Sequence, residues 1–157
     1  MKLTDILSND QVILPLRNHE KDKIIEEMVD HLYRKKKIKN RDKILKAILD
    51  REQVMSTGVG DRVALPHGKA EGVKDVVVAL GITDGDVDFH SIDNQPVRLI
   101  FMLIGPPDKA GPHLKALGYI SGLMRQPEFR ERLLQAKNVA EVMQVIQEMD
   151  EKYQNGN

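Results

Sequence analysis

A chain of 157 residues that is 41% hydrophobic and 31% charged suits one ordinary globular core and excludes a disordered or fibrous protein. Its 24 basic and 24 acidic residues cancel, which argues against a nucleic-acid binder; the run Arg34-Lys35-Lys36-Lys37 reads as a solvated helix end. The absence of cysteine excludes a disulfide framework, a thiolate nucleophile and sulfur-ligated zinc.

Residues 11–16, rich in Val, Ile and Leu, predict a first strand, with Pro15 favouring its end or an edge position. Asn18 is placed to cap a helix whose apolar residues Ile24, Ile25, Met28, Val29 and Leu32 recur at helical spacing. Asn40 is placed to cap a second helix through Ile44, Leu45, Ile48 and Leu49, with Arg51 and Glu52 at its end. Ser56-Thr57-Gly58-Val59-Gly60-Asp61 predicts a loop of unusual dihedrals that no regular element would tolerate. Strands are expected at 62–65, 75–83 and 97–104, the last two too continuously apolar to meet water on either face. Asp84-Gly85-Asp86 and Asp93-Asn94-Gln95 supply turn chemistry.

Beyond Gly105-Pro106-Pro107 the pattern is helical. Pro112 suits a first turn before the stripe Leu114, Leu117, Ile120 and Met124, and Pro127 starts another helix. Asn138 with Glu141 resembles a capping box before a last helix carrying Val142, Val145, Ile146 and Met149, and residues 153–157 read as a frayed tail. The order β-α-α-β-β-β-α-α-α predicts a single α+β domain over 1–157, core about 3–150. Its mixed sheet of about four to five strands would lie between two helical layers. The longest apolar run, 99–104, is too short to span a bilayer and the N-terminus lacks a signal-peptide core, so a cytoplasmic location without membrane insertion is expected.

Among five histidines, His19 and His31 belong to an amphipathic helix and His90 to a turn, where surface or packing roles account for them. His67 follows Ala64-Leu65-Pro66 at a strand end beside the glycine loop, with Gly68 leaving room for a ligand. A neutral imidazole nitrogen attacks phosphorus directly, and the phosphoramidate it forms stays reactive enough to pass the group on. Arg51 is read two ways: as a guanidinium matched to phosphoryl oxygens, or as a helix-end cation serving the dipole. His113 follows Pro112 at a helix start, where N–H groups attract anions, although a first-turn histidine is ordinarily exposed. Asp84-x-Asp86-x-Asp88 is no calcium loop, because Phe89 and Gln95 occupy its glycine and glutamate positions. Gly58-Val59-Gly60 lacks the lysine of a nucleotide loop. No carboxylate stands at metal-ligand spacing from His67 or His113, so neither a metal nor another cofactor is expected.

The ordered set Arg51-Glu52, Ser56-Thr57-Gly58-Val59-Gly60 and Val63-Ala64-Leu65-Pro66-His67-Gly68 resembles the signature of type-2 enzyme IIA components of the phosphotransferase system, the fructose, mannitol and nitrogen-regulatory branch. Asp93-Asn94-Gln95-Pro96-Val97 and His113-Leu114-Lys115-Ala116-Leu117 extend the likeness to roughly residues 3 to 150. The resemblance implies phosphorylation of His67 through Nε2, with Arg51 stabilising the phosphoryl group and His113 lining the site. Ser56, Thr57, Gly58 and Arg62 would form the phosphate-side loop. It also implies a donor that is HPr or a paralogue, and an acceptor that is a IIB component or a regulatory target; a stand-alone chain favours the nitrogen-regulatory type. Where Arg62 stands the family usually has glycine, and a phosphate contact or an altered loop path follows. The competing reading is a non-catalytic binding module of the same fold, like the cytoplasmic domain of anion exchangers.

Overall fold

A computed structural model describes residues 1–154. Its elements, in chain order, are β1 (Val12–Leu16), α1 (Lys21–Arg34), α2 (Arg41–Val54), β2 (Gly58–Gly60), β3 (Val63–Ala64), β4 (His67–Lys69), β5 (Val77–Val87), β6 (Val97–Gly105), α3 (Ala110–Met124), α4 (Pro127–Gln135) and α5 (Val139–Gln154). Two short 3₁₀ turns precede β1. Among the described residues no helix is long and apolar enough to cross a membrane.

The sheet has six strands in the order β1-β5-β6-β3-β2, with β4 also paired to β6. β5 and β6 run antiparallel from Val77↔Ile104 to Val87↔Val97 and, as expected of their apolar runs, are covered on both faces. Alternation along them divides the core. Val78, Leu80, Ile82, Leu99, Phe101 and Leu103 pack with α3, α4 and α5, while Ala79, Val97, Ile100, Met102 and Ile104 pack with α1 and α2. The α+β, three-layer arrangement follows from this partition.

β3 and β4 are two pieces of one strand. Val63 faces Leu99 and His67 faces Leu103, both parallel and both 36 positions apart, so the register with β6 survives the gap at Leu65-Pro66. Val63 and Leu65 therefore join the α3-side core and Ala64 the α2-side core. Gly68 also faces α2, where an added Cβ would lie 3.2 Å from the Ile48 backbone nitrogen. A Cβ here would make α2 give by a few tenths of an ångström, and glycine lets it settle this close to β4 without that shift.

Several expectations change. Glu20, not Asn18, is the N-cap of α1, because the Asn18 N–H and Nδ2 are both taken by the Glu27 carboxylate at 3.0 and 2.8 Å. Asn40 does occupy the N-cap of α2, but in the left-handed region (φ 53°) and without a side-chain cap bond. The 58–60 segment expected as loop is a strand, because it can pair with β3. Asp84–Asp86, expected as a turn, lies within β5 where the register with β6 shifts. On α3 the buried stripe is His113, Ala116, Ile120, Leu123 and Met124, which leaves Leu114 72% exposed. Tyr153 belongs to α5 and meets Tyr119 edge-on at 5.5 Å; residues 155–157 of the expected tail lie outside the described residues.

Asn138 Oδ1 accepts the Glu141 N–H at 2.9 Å, as the capping pattern predicts. Asp150, 1% exposed on α5, accepts the Leu3 N–H at 2.8 Å, the Thr4 N–H at 3.0 Å and the Tyr119 hydroxyl at 2.6 Å. One buried carboxylate thus ties the first residues to the last helix and to α3.

Gly60 pairs with Val63, so Asp61 and Arg62 are the two central residues of a hairpin turn, with φ of 56° and 67°. A turn with positive φ at both positions prefers Asn-Gly, and an L-residue in this region costs roughly 1–2 kcal/mol. Arg62 is held at 3.3 Å by Asp86, an exposed pair that offsets little of this. Arg62→Gly should therefore raise stability by about 1 kcal/mol, read from the urea midpoint; an unchanged or lower midpoint would sink the turn argument.

Candidate functional site

Pro66 has no N–H to give, and at this break the Leu65 carbonyl receives His67 Nδ1 at 2.9 Å while Leu103 N–H bonds to Pro66 O at 3.0 Å. A carbonyl only accepts, so Nδ1 carries the proton and Nε2 keeps the lone pair. Half-buried at the start of β4, His67 thus offers one free nucleophilic nitrogen.

His113 lies on the same face, its ring 5.8 Å from that of His67 and tilted by 58°. It is 5% exposed rather than open to solvent, because it falls on the buried stripe of α3. Its Nδ1 has no hydrogen-bond partner among the described residues and sits over Gly105, where a Cβ would lie 2.7 Å away. Burial first, then the neighbouring His67 and Lys69, push its pKa down to about 4. His113 is therefore neutral near pH 7.

Arg51 is in the last turn of α2, about one turn beyond the Ala47–Ile48 backbone that covers Gly68. Its Nη1 donates to Met55 O at 2.8 Å, the only partner it has among the described residues, so most of its five donors are uncommitted. Glu52, next to it, is buried and accepts from Thr57 N–H at 2.7 Å, Thr57 Oγ1 at 2.5 Å and Lys21 Nζ at 2.7 Å. Thr57 O accepts Leu65 N–H at 3.0 Å, which joins this loop to the strand of His67.

The loop hydroxyls are engaged inside the protein. Ser56 Oγ donates to Phe89 O at 2.8 Å and accepts Gly58 N–H at 3.1 Å, while Gly58 O accepts Ile92 N–H at 3.2 Å. Arg62 turns to Asp86, and Asp61 lies 3.7 Å from Arg130. The structure thus brings His67 and His113 together, sets Arg51 on the helix over β4, and uses Ser56, Thr57 and Gly58 to build the loop between them. His19 pairs with Asp84 at 3.3 Å, His31 meets Asp10 O at 2.8 Å and His90 is exposed near Asp88, all apart from this cluster. A cleft of about 500 Å³ lined by His19, Lys21, Glu52 and Asp88 is separate from His67. Sequence reasoning gave no role to Glu52 or Lys69; a charged pair at a helix end looks solvated until its burial is seen.

Residues 5–149 match the profile of the family described as phosphoenolpyruvate-dependent sugar phosphotransferase system, EIIA 2. The chain is 35% identical over 150 residues to a fructose-specific EIIABC component of Bacillus subtilis, covering 96% of this chain but 24% of that relative. It is 32% identical to a fructose-specific EIIA component of Haloferax volcanii, over 83% of this chain and 85% of the relative. The crystal structure of the nitrogen regulatory protein IIA-Ntr from Neisseria meningitidis superposes with a TM-score of 0.83 at 32% identity, covering 90% of this chain and 97% of that one.

The buried state of His113 sets a sign for acid sensitivity. Between pH 6.5, its ordinary value, and about 4 the unfolded chain takes up a proton that the folded chain refuses. The stability His113 contributes is complete above about 6.5 and lost as pH falls toward 4, by at most about 3 kcal/mol. Urea midpoints should fall over this window in wild type and fall less in His113→Gln; a His113 proton-resonance titration centred above 6 would contradict the burial argument.

Proposed function

The chain belongs to the type-2 EIIA family of the phosphoenolpyruvate-dependent sugar phosphotransferase system, and from that we propose that it is a cytoplasmic phosphocarrier whose phosphoryl group rides on His67 Nε2. The observation that carries this reading is the bond from His67 Nδ1 to Leu65 O, which leaves Nε2 as the one free nitrogen beside a neutral His113. The donor is HPr or a paralogue of it. The acceptor is a IIB component or a regulatory target: fructose-specific and nitrogen-regulatory relatives are about equally similar, so the proposal is made at the level they share. The Bacillus relative is named for A, B and C parts in one component, which supports a IIB acceptor.

In the transfer the His67 Nε2 lone pair forms a bond to phosphorus as the P–N bond to the donor imidazole breaks, the donor nitrogen keeping that electron pair. The proton stays on Nδ1 throughout, donated to Leu65 O, so positive charge gained by the ring is held against a carbonyl dipole. Arg51 and Lys69 offset the charge on the phosphoryl oxygens, and Arg51 does so with a fork that matches two oxygens at once. His113 adds a single neutral donor. Met55, Val59, Ile92 and Leu114, at 60%, 55%, 68% and 72% exposure, give the loop and α3 beside the site an apolar surface suited to a protein donor rather than a free metabolite. The described span acts as one domain in this reading.

Intact-mass spectrometry after incubation with enzyme I, HPr and phosphoenolpyruvate should show one acid-labile phosphoryl adduct on wild type and none on His67→Ala. Arg51→Ala should stay folded but transfer about 10²–10³-fold more slowly, with a smaller loss for His113→Ala. An adduct on His67→Ala would overturn the site; no adduct on wild type with several donors would favour the binding-module reading.

A further inference from the structure

Glu52 stands apart from the surface charges of this chain. Its side chain is 3% exposed, and every bond it makes is directed at the Ser56–Thr57 loop or at α1. Lys21, itself 13% exposed, neutralises it at 2.7 Å and lies 5.1 Å from the centre of the Phe89 ring, whose carbonyl holds Ser56. A charge removed from water to this degree costs stability unless it is paired and bonded, so this group is a fixed anchor rather than a mobile surface acid.

From Glu52 the bonds lead in one direction. Thr57 gives Glu52 both its N–H and its hydroxyl, and its own carbonyl takes the Leu65 N–H at 3.0 Å. The Leu65 carbonyl then takes His67 Nδ1 at 2.9 Å. The two peptide groups flanking the Leu65 Cα are therefore both anchored, one to the loop and one to the imidazole. We infer that Glu52 is a positioning residue for phosphoryl transfer: through Thr57 and Leu65 it fixes the Nδ1–H tautomer and the orientation of His67. It touches no reacting atom. It acts by holding the acceptor carbonyl where the ring must find it.

A purely structural buried acid offers the contrast. Asp150 is 1% exposed and bonded to Leu3, Thr4 and Tyr119, and none of its bonds leads to Leu65 or His67. Loss of either carboxylate lowers stability, but only loss of Glu52 disturbs the His67 ring.

The inference rests on His67 as the phosphorylated group, and its test separates the two. Glu52→Gln, Thr57→Val and Asp150→Asn are compared with wild type by long-range ¹H–¹⁵N correlation of the His67 side chain, by donor-dependent kinetics and by melting temperature. Wild type should hold His67 as Nδ1–H. Glu52→Gln and Thr57→Val should raise the Nε2–H share and lower kcat at least tenfold with KM for HPr within twofold, while Asp150→Asn lowers the melting temperature without moving tautomer or kcat. A folded Glu52→Gln with wild-type tautomer and kcat overturns the inference, and so does an Asp150→Asn that shifts both. Should Glu52→Gln not fold, Thr57→Val decides on the same readouts. Absence of any phosphoryl adduct on wild type refutes the phosphocarrier reading instead, and the tautomer comparison still judges Glu52.

Discussion

The bond between His67 Nδ1 and the Leu65 carbonyl is the contact on which the site depends, and it lies on a strand that is interrupted without losing register. The Arg62 and Pro66 carbonyls bond to β6, whereas Leu65 turns its N–H to Thr57 on the other side and its carbonyl to the imidazole. The constant 36-residue offset keeps His67 on the face of α3 and Gly68 on the face of α2. Rigidity comes from β6, which is buried along nearly its whole length. The imidazole is free only at the atom that matters.

Electrostatics divides the work. His113, whose ring lies 5.8 Å from that of His67, is kept neutral near pH 7 by burial. In the proposed function a doubly charged phosphoryl group on His67 would meet this neutral imidazole rather than a second fixed cation. A site arranged this way would bind the group without holding it too tightly. This suits a carrier, which must release what it takes.

Much of this was legible in the chain. The Ala64-Leu65-Pro66-His67-Gly68 string, the two strands too apolar for water and the spacing of the five helices fix the layers and single out His67. What was not legible has specific causes. Leu114 and Leu117 fit a helical period as well as His113 and Ala116 do, and only the sheet beneath α3 decides that a histidine is the buried member. Asp84-Gly85-Asp86 has every local sign of a turn, yet Thr83 bonds Gly85 O at 2.6 Å and the chain continues as an irregular strand, since pairing with β6 outweighs local preference. The glycine loop became β2 for the same reason. Glu52 escaped notice because burial is a property of the assembled fold.

The tie between Asp150 and the Leu3 and Thr4 amides spans 147 and 146 positions of sequence. A ribosome adding about 5–20 residues per second needs roughly 7–30 s to travel that distance. During that interval the first residues have no carboxylate to receive them, and the apolar face of the sheet that α5 will cover is open. Newly made chains therefore pass through a stage with α3 and α4 made but α5 not yet in place on that face, a stage at which a chaperone would find apolar surface to bind.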